Sequence, residues 1–347
     1  MDKNRKVISR EEFRKRIAGE FKLDLRYSVL EFADDGRFLV ASTDSLSTAK
    51  EVSSLYERVK PGFRLKVILL PDGSAGKLKR GICHVGVAPV RKSGASASEQ
   101  VTQILFGESF DTLQIGPDWI RVRLHEDGYV GWVSANQVTL FDDSGFQKYK
   151  SIPVISADEN VVRILGRPER GGATIREAVL GSRLSVAGKS GKYVEVILPD
   201  GIKGWVEKSK LRPEFGPEKA TPGRIVETAR RFLGISYVWG GRSANGFDCS
   251  GFVQTVFRQN GVELPRDADM QYSTGTKLGK NLKKLRAGDL LFFSSNGHKI
   301  THVAIYTGKN SEIIHSSGFV RLNSLVPNRK NYSRKLSSAF VGACRVI

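Results

Sequence analysis

The sequence predicts a multidomain α+β protein, and three observations lead to this fold class. Residues 81–213 consist of short strand-like runs separated by turns, whereas helical patterns occur before and after them. The pattern Gly-x-x-Gly-Trp-Val at 128–133 returns at 201–206, and this period of 73 residues indicates two copies of one small β-barrel. Residues 220–347 combine two helical patterns with several strand-like runs. We therefore expect four parts, with the bounds 1–80, 81–145, 146–213 and 220–347.

The first part, 1–80, is predicted to be a small α+β unit. Phe13, Ile17 and Phe21 recur at helical spacing, and a second helix is predicted over 45–59, before Pro61-Gly62. Strands are predicted at 27–32, 37–41 and 63–70. No residue of this unit shows recognisable site chemistry, so the sequence predicts no role for it.

Most aromatic side chains of the two barrels are predicted to lie in their cores. The first copy has Trp119 in a Trp-x-x-Val strand, where the second copy has Tyr193. Tyr129 differs, because the second copy has Ile202 at the equivalent position. Because only the first copy has a tyrosine at this position, Tyr129 is as consistent with a role at the surface as with a place in the core. A short linker is predicted over 213–219.

Composition and charge narrow the class of protein. With 40% hydrophobic and 26% charged residues, the chain has the composition of a soluble globular protein, and apolar runs such as 67–70 are too short to cross a bilayer. The first twelve residues lack the apolar core of a secretory signal, so a cytoplasmic location is expected. Residues 220–347 hold 19 basic and 7 acidic residues. Such an excess of positive charge would attract a polyanionic or multiply carboxylated partner. A basic surface that is exposed to solvent and aids solubility explains it equally well.

Cys249 is the strongest candidate for a catalytic residue. The three cysteines are too few and too scattered for a disulfide framework or a zinc motif, and Cys83 and Cys344 lie in apolar stretches that indicate a structural role. Asp248 is a good N-cap residue, so Cys249 falls at the first position of a helix that ends before Gly261. Free N–H groups and the macrodipole at a helix N-terminus stabilise a thiolate. We therefore predict that Cys249 is a nucleophile.

The register of a predicted hairpin selects the base for this thiol. His302 and His315 lie in strand-like runs that flank 307–310, which is typical of a two-residue turn with Gly308 at its first central position. Pairing 307 with 310 places the two histidines directly opposite each other on one face, with Cβ atoms about 4.5–5.5 Å apart. His302 is then the base, and His315 holds its second ring nitrogen. The other histidines are predicted to be surface, strand or loop residues: His84, His125 and His298.

A zinc site made of Cys249 and the two paired histidines is the alternative interpretation of these residues. It lacks a fourth ligand and the clustered ligand spacing of known zinc motifs. Neither a metal nor another cofactor is therefore predicted.

A series of motifs in 221–347 resembles the NlpC family of cell-wall cysteine peptidases and occurs in the family's order. The motifs are Tyr-Val-Trp-Gly-Gly at 237–241, Phe-Asp-Cys-Ser-Gly-Phe-Val-Gln at 247–254, Leu-Pro-Arg at 264–266, Gly-Asp-Leu-Leu-Phe-Phe at 288–293, Thr-His-Val-Ala-Ile-Tyr at 301–306 and Ile-His-Ser at 314–316. The resemblance implies a papain-like α+β fold for this domain. It also implies cleavage of the bond between D-Glu and the diamino acid in peptidoglycan stem peptides.

The two barrels resemble bacterial SH3-like domains, and their combination with this peptidase domain resembles the γ-D-glutamyl-L-diamino acid endopeptidases, or dipeptidyl-peptidase VI. This resemblance implies that the first SH3-like domain packs over the cleft, so that only peptides with a free N-terminal L-Ala fit and L-Ala-D-Glu is released. Four residues are expected to bind the free amine: Asp248, Ser250, Tyr129 and Glu99. Tyr237 is expected to join the Cys249 N–H as an oxyanion donor. Ala268 stands where the family commonly has Ser or Thr, which removes one expected hydrogen bond to the substrate.

Two other functions are alternatives to a peptidase. A wall-binding protein with SH3-like domains and a degenerate peptidase domain is the nearest alternative, and the intact cysteine and histidine pair argue against it. Nucleic-acid binding would explain the basic charge, but no basic helix or aromatic-basic platform is present. The expected partners are thus peptidoglycan-derived peptides of the type L-Ala-γ-D-Glu-diamino acid, with neither nucleic acid nor a membrane. Whether the diamino acid is diaminopimelate or Lys, and the oligomeric state, are not predicted.

Overall fold

The computed structural model describes residues 8–213 and 220–347, so most of the predicted linker lies outside the described residues. In the first part, two helices cover a three-stranded sheet of order β1-β2-β3. The side chains of Ser9 and Ser45 cap the two helices, and Phe13 and Val52 on their inner faces are fully buried. The elements are α1 Arg10–Glu20, β1 Leu30–Asp34, β2 Phe38–Thr43, α2 Leu46–Val59 and β3 Arg64–Leu69.

The first barrel is a sheet of seven described strands in the order β10-β4-β7-β8-β9-β5-β6. Its core includes Val90, Phe110 and Val122, all fully buried. Its strands are β4 Arg80–Cys83, β5 Val87–Arg91, β6 Gln100–Leu105, β7 Ser109–Ile115, β8 Trp119–Leu124, β9 Val130–Ser134 and β10 Val138–Phe141, and α3 Asp143–Lys150 follows.

The second barrel repeats this strand order within the described residues, as β17-β11-β14-β15-β16-β12-β13. A Cβ atom on Gly131 would lie 2.5 Å from Val90, and one on Gly204 would lie 2.4 Å from Ile164. The repeated glycine is therefore needed where two strands approach closely. The predicted repeat is confirmed, with strands β11 Val154–Ala157, β12 Val161–Leu165, β13 Thr174–Val179, β14 Arg183–Ser190, β15 Tyr193–Ile197, β16 Lys203–Glu207 and β17 Leu211–Pro213.

In the C-terminal domain, helices pack on a six-stranded sheet that, among the described residues, has the order β20-β25-β21-β22-β23-β24. The apolar stripe of α5 is fully buried against this sheet, where Phe252 and Val256 share one core with Val303 and Ile305. The elements are α4 Pro222–Arg230, β18 Arg242–Ser243, β19 Gly246–Phe247, α5 Cys249–Arg258, α6 Ala268–Tyr272, β20 Thr276–Gly279, β21 Leu290–Phe293, β22 His302–Tyr306, β23 Glu312–Ser317, β24 Phe319–Ser324, α7 Arg334–Ala339 and β25 Phe340–Arg345.

The hairpin between β22 and β23 has a different register from the predicted one. Ile305 pairs with Ile314 and Tyr306 with Ile313, so His302 and His315 are not directly opposite each other. The turn is longer than two residues, because Asn310 and Ser311 both adopt left-handed conformations and extend it. The resulting shift is two residues. Since side chains alternate with a period of two, both histidines still lie on one face.

A buried ionic cluster lies between the first barrel and the C-terminal domain. Glu108 is 1% exposed and accepts two hydrogen bonds from Arg242, at 2.8 and 2.9 Å, and one from Arg258 at 2.8 Å. Glu126, also of the first barrel, pairs with Arg258 and with Arg183 of the second barrel. Three domains therefore meet at one charged cluster. None of the helices described in 8–213 and 220–347 is long and apolar enough to cross a membrane.

Candidate active site

Cys249 is the first residue of α5, as the sequence predicted. Asp248 is the N-cap residue, and its Oδ1 accepts a hydrogen bond from the Gly251 N–H at 2.6 Å. The Cys249 side chain is half-buried against the core, whereas Cys83 and Cys344 are fully buried. The thiol therefore lies at the end of a helix that the core holds rigidly.

The resting Cys249 thiol is protonated, in contrast to the thiolate that its helix position predicted. Burial, and after it the Asp248 carboxylate, raises the pKa of Cys249 to about 12. The backbone N–H groups of Val303 and Ser250 and the Arg266 guanidinium act in the opposite direction without overcoming burial. A base must therefore take the proton when the thiol reacts.

His302 and His315 form a hydrogen-bonded pair next to this thiol. Nε2 of His302 lies 2.8 Å from Nδ1 of His315, and the two rings are nearly perpendicular. Val303, whose N–H approaches the thiol, directly follows His302 in β22. Burial lowers the pKa of His302 to about 3 and that of His315 to about 4, so both rings are neutral near pH 7.

The thiol opens into a cavity of about 840 Å³ between the first barrel, the C-terminal domain and the first part of the chain. Six of the eight predicted site residues line it: Glu99, Tyr129, Tyr237, Asp248, Cys249 and Ser250. His302 and His315 do not line it. A neighbouring cavity of about 550 Å³, between the first part and the first barrel, shares Arg26, Glu99 and Tyr129 with this one.

Asp248 has a buried partner that the sequence did not predict. The guanidinium of Arg266, which is fully buried, donates to Oδ1 at 3.1 Å and to Oδ2 at 2.5 Å. Oδ1 also accepts from the Ser250 hydroxyl at 3.3 Å. Arg266 therefore offsets the negative charge of Asp248 beside the thiol. One lone pair of Oδ2 remains for a ligand.

Tyr129 and Glu99 bring the first barrel to the cavity. The Tyr129 hydroxyl donates to Asp267 at 3.4 Å, and burial raises the pKa of Tyr129 above its usual range. Glu99 accepts a hydrogen bond from Nε1 of Trp239 at 2.9 Å. Trp239 is 62% exposed at the cavity, so Glu99 also fixes the position of this indole ring.

The first part of the chain contributes to the cavity wall, which the sequence did not predict. Residues 22–26, which follow α1, line the cavity. Arg26 donates to Asp267 at 2.9 Å and to Asp269 at 2.7 Å, on either side of Ala268. Its only sequence signal is an arginine in a loop, and that signal is too weak to find it.

The remaining residues singled out in the sequence are Tyr237 and three histidines. Tyr237 lines the cavity, and burial raises the pKa of its phenol, so it keeps its proton and can donate. His84 bonds to Thr139 and His125 bonds to Asp111, both within the first barrel. His298 is exposed in a loop. Among the described residues, no group of three or more His, Cys, Asp or Glu side chains is arranged to hold a metal ion.

Comparison with protein families gives two matches. Residues 234–340 match the NlpC/P60 family, and residues 90–138 match the bacterial dipeptidyl-peptidase Sh3 domain. Both matches agree with the predicted combination of a peptidase domain and an SH3-like barrel. Neither covers residues 1–89.

Two similar proteins match more than half of the chain. The chain is 33% identical over 224 residues to the gamma-D-glutamyl-L-lysine dipeptidyl-peptidase of Bacillus subtilis, covering 62% of this chain and 71% of that protein. It is 28% identical over 257 residues to the protein of the same name from Bacillus cereus, covering 70% of this chain and 75% of that protein.

Among solved structures, an NlpC/P60 family protein from Bacillus cereus has a similar fold. The TM-score is 0.66 with 24% identity, and the match covers 77% of this chain and 99% of that one. This similarity confirms the predicted multidomain α+β fold. About a quarter of the present chain has no counterpart in that structure.

Proposed function

Because the chain belongs to the NlpC/P60 family of cysteine peptidases, we propose that it cleaves peptidoglycan stem peptides between γ-D-Glu and the diamino acid when L-Ala at their N-terminus is free. Its activity as a peptidoglycan peptidase follows from the family and from the relatives. The finer substrate is our proposal. It rests mainly on one observation, that a single cavity joins Cys249 to Tyr129 and Glu99 of the first barrel.

The proposed reaction begins with proton transfer from Cys249 to His302. The sulfur then attacks the γ-carbonyl carbon of D-Glu, and the oxyanion receives hydrogen bonds from the Cys249 N–H and the Tyr237 hydroxyl. Protonated His302 donates its proton to the leaving amine of the diamino acid. Water, activated by the same histidine, hydrolyses the thioester and releases L-Ala-D-Glu.

Recognition of the free amine is assigned to the acidic side of the cavity. A protonated amine has three N–H donors, and the remaining lone pair of Asp248 Oδ2, the oxygen of Tyr129 and the Glu99 carboxylate are acceptors on the wall. Ser250 supports this set, because its hydroxyl bonds to Asp248 and accepts from Arg266 at 3.0 Å. An acyl group on the alanine would remove the positive charge and two of the donors.

Digestion of defined tripeptides tests this proposal. The purified full chain is incubated with L-Ala-γ-D-Glu-L-Lys and L-Ala-γ-D-Glu-meso-diaminopimelate, and the products are identified by mass spectrometry. We expect release of L-Ala-D-Glu from at least one of them. Cys249→Ala should abolish the release, whereas Cys344→Ala, at a buried cysteine remote from the cavity, should retain it. Cleavage by Cys249→Ala, or none by the wild type, would contradict the proposal.

The N-acetylated tripeptides test the role of the first barrel. We expect no measurable cleavage of them, because the acetyl group removes the charge that the carboxylates recognise. Rapid cleavage would refute the requirement for a free amine. The acyl group would then be expected in the neighbouring cavity of about 550 Å³.

A further inference from the structure

The hydrogen bonds behind the histidine pair continue to Asn323, a residue of the next strand. Oδ1 of Asn323 lies 2.9 Å from Nε2 of His315, and Nδ2 of Asn323 donates to the carbonyl oxygen of Asn331 at 2.9 Å. That carbonyl also accepts from the backbone N–H of Ser324 at 2.9 Å. The series therefore runs from the rings to a fixed backbone group.

The position of each proton in this series follows from the carbonyl at its end. A carbonyl oxygen only accepts, so the group of Asn323 that faces Asn331 is its NH₂, and its oxygen faces His315. Nε2 of His315 must then carry a proton. A neutral imidazole has one N–H, so Nδ1 of His315 is an acceptor, and Nε2 of His302 donates to it.

The nitrogen left without a proton is Nδ1 of His302. It makes no hydrogen bond with any of the described residues. The opposite arrangement would place a proton on Nδ1 of His315 and make Nε2 of His302 an acceptor. The single proton of His302 would then be on Nδ1, and this nitrogen could not accept another.

We propose that Asn323 is a positioning residue, which sets the proton arrangement of both histidines and keeps Nδ1 of His302 free to accept the proton of the Cys249 thiol. This inference rests on the proposed roles of Cys249 and His302, and not on the identity of the substrate. In the step itself the S–H bond breaks, its proton binds Nδ1 of His302, and the electron pair of sulfur forms the bond to the carbonyl carbon, while the π bond of the carbonyl breaks and its electron pair moves to the oxygen. His315 keeps its single proton throughout.

The burial of the pair supports this arrangement. The hydrogen bond to the neutral Asn323 raises the pKa of His315, but burial lowers it by more, so His315 is oriented without taking up a second proton near neutral pH. Because burial lowers the pKa of both rings, each carries one proton near neutral pH, and the place of that proton decides whether His302 can act as a base.

Two substitutions and one control test the role of Asn323. Asn323→Leu keeps a similar volume but removes the acceptor, and Asn323→Asp keeps an acceptor oxygen and adds a negative charge. Asn310→Asp makes the same chemical change in the turn between β22 and β23, away from the rings. Circular dichroism and thermal unfolding verify that each variant is folded.

Three readouts are compared. Imidazole ¹⁵N–¹H spectra of the unliganded full chain should show Nε2–H on both rings in the wild type and mixed forms in Asn323→Leu. The value of kcat/KM should fall about 10- to 100-fold in Asn323→Leu with little change in KM. Asn323→Asp should keep the Nε2–H forms and shift the acid limb of the pH profile to higher pH, while Asn310→Asp should leave all three readouts unchanged.

Alkylation of Cys249 by iodoacetamide separates this inference from the proposed substrate, because it measures proton loss from the thiol without a peptide. We expect slower alkylation near pH 7 in Asn323→Leu than in the wild type. A proton on Nδ1 of either ring in the wild type would overturn the inference, as would an Asn323→Leu variant with wild-type spectra, alkylation and kcat/KM. If Asn323→Leu does not fold, the wild-type spectrum and the pH profile of Asn323→Asp decide.

Discussion

Replacing Glu108 by alanine tests whether the buried ionic cluster holds the first barrel over the active-site cavity. The carboxylate is 1% exposed and its main partner, Arg242, is 2% exposed, so the substitution leaves a guanidinium buried without its bidentate counter-ion. Breaking a buried ion pair from one side costs about 3–5 kcal/mol. Glu108 also accepts from the Leu105 N–H at 2.9 Å, which adds to the loss.

Denaturant unfolding of the full chain measures this cost. Glu108→Ala should lower the free energy of unfolding by about 3–5 kcal/mol. Glu195→Ala is the matched control, because it breaks an ion pair with Lys203, whose side chain is 60% exposed and whose Nζ lies 3.5 Å from Oε1 of Glu195. Its expected cost is below about 1 kcal/mol. A loss below about 1 kcal/mol in Glu108→Ala would refute the reasoning.

The same variant has a predicted effect on specificity. If the cluster fixes the first barrel, its loss allows the barrel to move away from the cavity, and the N-acetylated tripeptide should then be cleaved better relative to the free tripeptide. The ratio of the two kcat/KM values measures this effect. A ratio equal to that of the wild type in a destabilised variant would show that the cluster contributes to stability alone.

Three further predictions concern the histidine pair, the cavity wall and the barrel repeat. Burial lowers the pKa of His302 and His315 below the usual value of about 6.5, so their contribution to stability is present above that pH and is lost as the pH falls. From pH 7 to 5.5 each histidine should cost about 1 kcal/mol of unfolding free energy, and denaturation of a doubly substituted His302→Asn, His315→Asn variant should lack this loss. In tripeptide assays, Arg26→Ala should raise KM about threefold to tenfold with little change in kcat, because it breaks the ion pairs that attach this part of the cavity wall to Asp267 and Asp269. Arg58→Ala, which breaks an exposed ion pair in the same part of the chain, should change neither constant. Gly131→Ala should lower stability by about 1–3 kcal/mol in thermal unfolding, because its Cβ would overlap Val90; an unchanged melting temperature would contradict this close packing.

Local patterns in the sequence were sufficient to predict much of the site. The N-cap at Asp248 and the apolar stripe behind Cys249 depend on residues within a few turns of one helix, and the structure has both as predicted. The placement of His302 and His315 on one face depends on the two-residue period of strands. It therefore survived an incorrect turn and an incorrect register.

Contacts between distant segments could not be predicted in this way. Arg266 donates to Asp248, and Arg26 donates to Asp267, because separate segments or domains pack together at these points. Such packing leaves no periodic pattern in the sequence. Asn323 was missed for a related reason. Asn323 lies in β24 and His315 in β23, where His315 pairs with Arg321, so the contact between Asn323 and His315 is diagonal. It depends on the register of these two strands, which the sequence did not predict.

Short-range patterns were enough to predict the residues to which we assign the chemistry of this protein, since a helix end and an alternating strand are local structures with short-range causes. The sequence also determined the two barrels, because a repeated glycine marks the same close strand contact in each copy. The environment of those residues, in contrast, depends on the folded structure. Burial keeps the thiol protonated and the histidines neutral, Arg266 offsets the charge of Asp248, and the first part of the chain completes the cavity. These effects arise from desolvation and from charges brought together across the fold, and neither exists until the chain is folded.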